Sequence, residues 1–296
     1  MIKSTASLAF KKGNTMTIYH EIQELKRMSF TELDLSDRQL IEIPKEIGDL
    51  KSLKNLYLNN NQLTNIPKEI GKLERLEILS LPYNQLTNIP KEIKKLKNLK
   101  IIHLSNNQFI DIPKEIIKLE NLKDLNLTGN KITEIAKEIG KLENLKALRL
   151  SGNKLTELPK EIGNLKNLKE LYLSNNKLID IPKEIGTLQN LEIIYLSKNR
   201  ITKIPISIRK LKKLRILDLL GNNLRSFITK ILKNNPKKRI SKRQAYKLRF
   251  CDKLEDFVKK YNLGDSISFK NLLLHPQCNE IIDSSEVIRL IMNRLL

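Results

Sequence analysis

The side chains of this 296-residue chain best suited to nucleophilic or metal chemistry are two cysteines and three histidines, and their spacing supports neither. Cys251 and Cys278 stand far apart, and His20, His103 and His275 supply no Cys-x-x-Cys or His-x-His grouping, so no zinc-ligand pattern can be written. Cysteines without a disulfide framework fit a reducing compartment, and a cytoplasmic protein is expected. The sequence also lacks an acid–base constellation and a glycine-rich loop that would cradle phosphate. It therefore predicts no enzyme, no cofactor and no metal.

Neutralisation of anions is a second possible chemistry. Of the residues behind the net charge of +22, 18 lysines and arginines fall between Lys198 and Arg249, against the single acid Asp218. Arg209, Lys210, Lys212, Lys213, Lys237, Lys238, Arg239, Lys242 and Arg243 have the charge to meet phosphates of nucleic acid or an anionic membrane. Only Phe227, Tyr246 and Phe250 offer rings there, and no zinc finger, helix-turn-helix or RNA-binding motif accompanies them. A solvated face is the plainest reading, followed by an acidic protein partner and then by nucleic acid.

The third chemistry is non-covalent recognition, and it is written in intervals. Tyr57, His103, Arg149, Tyr172 and Tyr195 are separated by multiples of 23 residues, as are Ile78, Ile101, Ile193 and Ile216. Such spacing implies a repeated element that positions them. From Phe30 the pattern LxxLxLxxNxLxxIPxxIxxLxx returns every 23 residues, giving nine copies that start at Phe30, Leu53, Leu76, Leu99, Leu122, Leu145, Leu168, Leu191 and Leu214.

One copy shows how the chain must run. Leu56-x-Leu58 alternates like a short strand, sending both leucines to one face and Asn55, Tyr57 and Asn59 to the other. Pro67 then opens a different conformation in which Ile70 and Leu73, three apart, return to the leucines on a helical or 3₁₀ turn. A single copy leaves two apolar flanks open and cannot fold alone, so copies must stack. Parallel strands about 4.8 Å apart, backed by bulkier Pro-x-x-Ile-x-x-Leu segments, bend the stack with the strands inside. The Asn column (Asn61, Asn84, Asn107, Asn130, Asn153, Asn176, Asn199, Asn222) is expected to satisfy loop backbone that would otherwise be buried unpaired. Arg38 breaks this column in the first copy, and Ala136 stands for Pro in the fifth.

These motifs resemble the leucine-rich-repeat family, in its 23-residue class with IPKEIGxLxxL on the convex side, as in bacterial and Ras-group-related intracellular repeat proteins. The likeness runs from Phe30 to about Phe227. It implies an α/β solenoid, a curved horseshoe with a parallel sheet on its concave face, that recognises proteins as a scaffold or in signal transduction. Some bacterial members carry a cysteine ubiquitin ligase domain after the repeats, a likeness that would single out Cys251. Only 45 residues follow that cysteine, and it sits in an apolar helical stripe where a buried structural thiol is the better reading.

The domain reading is an N-terminal cap over 1–29, nine repeats over 30–227, and a basic segment with a helical C-terminal cap or module over 228–296. Ile18, Ile22, Leu25 and Met28 share one face of a short capping helix. Ser241 with Gln244 reads as a capping box ahead of the stripe from Leu248 to Tyr261, and a last helix is expected near 285–296. The apolar stretch Ala6 to Phe10 is too short for a signal-peptide core, and no run reaches the roughly 18 apolar residues of a membrane span.

Within the repeats, the outward strand positions vary from copy to copy, as a recognition surface requires. The candidate partner-binding residues are Tyr57, Ile78, Tyr83 and Ile101 in one group and Tyr172, Ile193, Tyr195 and Ile216 in another, with Arg149 between them. His103 could tune binding with pH. The expected partner is a protein, acidic if the basic stretch takes part, bound by a monomer on a surface about 40 Å long.

Overall fold

In a computed structural model, the described residues are 15–27 and 30–224, with the backbone of 239–241 and 266–268. Nine three-residue strands form one open parallel sheet in sequence order: β1 (Glu32–Asp34), β2 (Asn55–Tyr57), β3 (Ile78–Ser80), β4 (Ile101–His103), β5 (Asp124–Asn126), β6 (Ala147–Arg149), β7 (Glu170–Tyr172), β8 (Ile193–Tyr195) and β9 (Ile216–Asp218). The register never slips. Each residue pairs with the one 23 positions on, so Leu56 meets Leu79 and Tyr172 meets Tyr195.

This constancy follows from the side chains. Leu56 and Leu58 are fully buried, as are their counterparts along the stack, and a one-residue slip would turn the whole leucine wall out to solvent. Opposite the sheet, short 3₁₀ turns such as Lys68–Lys72 after Pro67 and Lys160–Asn164 after Pro159 bury Ile70 and Ile162 against the strands. The result is the expected solenoid, with the sheet concave and the 3₁₀ turns convex.

The Asn column works as anticipated. Asn61 Oδ1 accepts the Leu40 N–H of the preceding copy at 2.9 Å, while its Nδ2 donates to Leu35 O at 2.9 Å and Leu58 O at 3.0 Å. The same bonds recur at Asn130 with Phe109, Leu104 and Leu127. Just ahead of the column the backbone turns left-handed, at Asn60, Asn106 and Asn175 and at Gly129, Gly152 and Gly221.

The helix α1 (Thr15–Leu25) covers the first copy with Ile18, Ile22 and Leu25, all buried, as the apolar spacing predicted; Met28 lies outside the described residues. At the far end Ser241 closes a strand, β10 (Arg239–Ser241), which pairs antiparallel with β11 (Ser266–Ser268). The spacing had offered Ser241 only as a helix cap, and neither strand was foreseen, although Ile240 and Ile267 are residues that favour strands. The stripe from Leu248 to Tyr261, Cys251 within it, and the segment near 285–296 lie outside the described residues.

Candidate functional site

The fixed register turns sequence columns into ladders on the concave face. Tyr172 and Tyr195, both half-buried, pair directly between β7 and β8 and stack, with ring centroids 5.2 Å apart and planes 21° apart. Ile193 pairs with Ile216 in the neighbouring column between β8 and β9, and Ile216 is 39% exposed. The second predicted group is therefore one continuous patch.

Arg149 joins this patch from β6. Its guanidinium lies 5.2 Å from the Tyr172 ring centroid, a cation–π contact. Nη1 donates to Asp124 Oδ1 and Nη2 to Glu170 Oε2, the latter at 3.0 Å. The Tyr172 hydroxyl donates to the same Glu170 oxygen at 3.2 Å. Asp124, Arg149, Glu170, Tyr172 and Tyr195 thus form one chain of contacts across four strands. The sequence reading had missed the two carboxylates. Their signal was present, since Asp124 and Glu170 flank Arg149 in the adjacent column once the register is drawn.

The electrostatics follow from these contacts. Burial pushes the Asp124 carboxyl up, but the adjacent His103 and Arg149 outweigh it and hold the group below the usual carboxylate range. Burial, reinforced by Glu170, raises the Tyr172 phenol. Among the described residues His103 Nε2 is enclosed without a hydrogen-bond partner; it lies 3.9 Å from Asp124 Oδ1, too far for a hydrogen bond.

The first group is looser. Ile78 pairs with Ile101 between β3 and β4, but Tyr57 pairs with Ser80, which is buried, and Tyr57 and Tyr83 make no ring contact with each other. Tyr83 is not on a strand at all. It stands in the turn after β3, 59% exposed, with φ of 56° where other copies use Asn60, Asn106 or Gly129. Burial, then the charges of Glu32 and Asp34, push the Tyr57 phenol up.

The basic candidates divide. Arg209 and Lys210 end the 3₁₀ turn Ile206–Lys210, with Lys212 and Lys213 just beyond it, all exposed and on the opposite side of the coil from the aromatic stack. Lys213 Nζ donates to Asn190 Oδ1 at 2.7 Å. Lys237, Lys238, Lys242 and Arg243 lie outside the described residues, and of Arg239 only the backbone is described. Among the described residues no cluster of three His, Cys, Asp or Glu could hold a metal ion, and no helix is long and apolar enough to cross a membrane.

Comparison with known proteins gives a consistent pattern. The leucine rich repeat family matches residues 29–86, 51–109, 74–132, 97–155, 120–178 and 166–224. A leucine-rich-repeat protein of Leptospira interrogans is similar at 42% identity and a TM-score of 0.60, over 73% of this chain and 61% of that one. The ectodomain of the Arabidopsis thaliana receptor kinase GASSHO1/SCHENGEN3, solved in complex with CASPARIAN STRIP INTEGRITY FACTOR 2, is 36% identical over 65% of this chain and 26% of its own, with a TM-score of 0.51. The Arabidopsis receptor kinase HAESA, solved with the peptide hormone IDA and the co-receptor SERK1, is 31% identical over 66% of this chain and 35% of its own, with a TM-score of 0.59. The chain spans less than two thirds of the length of each. No curated protein matches it.

Proposed function

The chain belongs to the leucine-rich-repeat family, and on that premise we propose that it is a non-enzymatic interaction scaffold that binds a partner protein on its concave sheet. The Tyr172–Tyr195 stack carries this reading. Large aromatic rings on an interface contribute most when their own ordering cost is already met. Here the second tyrosine stacks on the first, and the first is fixed by Arg149 and Glu170. Ile193 and Ile216 extend the apolar area, while the Asp124–Arg149–Glu170 cluster beside it sets a charge pattern that a partner must match.

Tyr83 supports the same reading from another side. A bulky residue in left-handed backbone costs about 1–2 kcal/mol, so its presence where asparagine or glycine fits better suggests that the displayed ring has a use. The relatives solved with a peptide or a co-receptor show partner binding on this scaffold in those proteins. In this chain the protein acts as a monomer in the cytoplasm, where Cys251 and Cys278 stay reduced.

Affinity capture with the full chain tests the assignment. At least one protein recovered by wild type should fall tenfold or more with Tyr172→Ala/Tyr195→Ala and be retained by Lys68→Ala on the convex turn. Equal recovery by all three, at matched melting temperatures, counts against the concave anchor.

A further inference from the structure

The ring stack on the concave face is capped at one end and open at the other. Arg149 lies against the Tyr172 ring from β6, and its two terminal nitrogens are held by Asp124 and Glu170. Tyr195 covers the other face of Tyr172 from β8. With the two planes 21° apart and the register in line, the remaining face of Tyr195 looks toward β9, where its pairing partner is Asp218. Among the described residues no cation or second ring meets that face.

Asp218 has a short stem, so its carboxylate stands at the foot of the ring rather than across it. Oδ1 accepts the Leu220 N–H at 3.1 Å, and the group makes no ion pair among the described residues. Ile216 is 39% and Leu220 51% exposed on either side of it, so this end of the sheet is accessible. The charge balance points the same way. The outward strand positions carry Glu32, Asp34, Asp124, Glu170 and Asp218 against one permanent cation, Arg149, in a chain whose net charge is +22. The strand face is therefore acidic on a basic protein. Arg149 neutralises Asp124 and Glu170, whereas Asp218, beside the open ring, lacks such a cation.

We propose that the open face of Tyr195 and the Asp218 carboxylate together receive an arginine side chain of the partner protein. This rests on the concave-face reading above and specifies what the partner must present there. A guanidinium is flat, so it can lie on the ring while its N–H edge reaches a carboxylate, as Arg149 does at the other end of the stack. A lysine ammonium has no plane to stack and holds its water more tightly, so it fits less well. A neutral planar group would leave Asp218 without a counter-charge.

Two readouts on the full chain test this. N-acetyl-arginine methylamide, titrated while carboxyl and tyrosine-ring NMR signals are followed, should shift Asp218 and Tyr195 saturably. The lysine analogue should bind about threefold more weakly or worse, and the neutral citrulline analogue should not saturate. Asp218→Asn keeps the Oδ1 bond to Leu220 and removes only the charge; it and Tyr195→Leu should each weaken the arginine probe about fivefold or more. In affinity capture, the protein whose recovery depends on Tyr172 and Tyr195 should fall with Asp218→Asn as well. No saturable shift, equal binding of the lysine or citrulline analogue, or unchanged affinity in both variants would overturn the arginine assignment. Capture that needs the tyrosines but ignores Asp218→Asn would overturn it and leave the concave scaffold standing, whereas capture that ignores both changes would remove the two readings together.

Discussion

Arg38 occupies the place in the first copy that asparagine holds in the eight later ones, and its Nη1 donates to Glu21 Oε2 of α1 at 2.5 Å, with only 11% and 6% of the two side chains exposed. The column's amides bind the carbonyls of the copy before; the first copy has none before it, and a longer side chain reaches the cap instead. Breaking a buried ion pair strands the remaining charge, at about 3–5 kcal/mol. Arg38→Asn should therefore loosen the cap by that amount, seen as early loss of hydrogen-exchange protection in α1. Arg38→Leu/Glu21→Leu should recover most of it.

Ala136 offers the opposite case. Its φ of −61° and ψ of 144° match those of Pro67 (−63°, 143°) and Pro90 (−67°, 144°) at the same place in other copies. Proline fits this backbone and restricts only the unfolded chain, so Ala136→Pro should stabilise by about 0.4–1 kcal/mol in denaturant unfolding.

Tyr83 should trade stability for binding. Tyr83→Gly relieves left-handed backbone strain and should raise stability by about 1 kcal/mol. The same variant should weaken capture of a partner whose footprint extends beyond β3 to that turn.

The ionic cluster gives a pH dependence with a defined sign. Asp124 titrates below its unfolded value of about 3.9, so its contribution to stability is fully present above that pH and is lost as pH falls through the folded value. Arg149→Leu removes one of the charges that hold it down, and the Asp124 midpoint read by carboxyl NMR should rise.

Much of this was legible in the chain. Leu56-x-Leu58 gives a strand at any copy, Pro67 marks the change of conformation, and a constant interval forces in-register parallel pairing, which is why Tyr172 and Tyr195 could be placed side by side before any coordinates. Asp124 and Glu170 were equally within reach, but charged residues on a strand read as solvated until the Arg149 fork is seen to bind both. Glu21 was not legible as the partner of Arg38, because how a capping helix rotates is decided by packing rather than by the repeat. The close approach of the convex turns was hidden for a different reason: PKEIG looks like solubilising surface, and only the distance from Gly48 or Gly71 to the next copy's glutamate carbonyl shows why glycine stands there. Tyr83 was legible as an exposed ring, but not as one held in left-handed backbone beyond the strand, because where a three-residue strand ends is decided by the turn that follows it.

The most direct test of the concave assignment is site-specific photocrosslinking. A photoreactive phenylalanine analogue at Tyr195 should capture a partner protein, and the same analogue at Lys137 on the convex turn should not. Adducts from Lys137 alone, with none from Tyr195 in a folded protein, would contradict partner binding on the sheet.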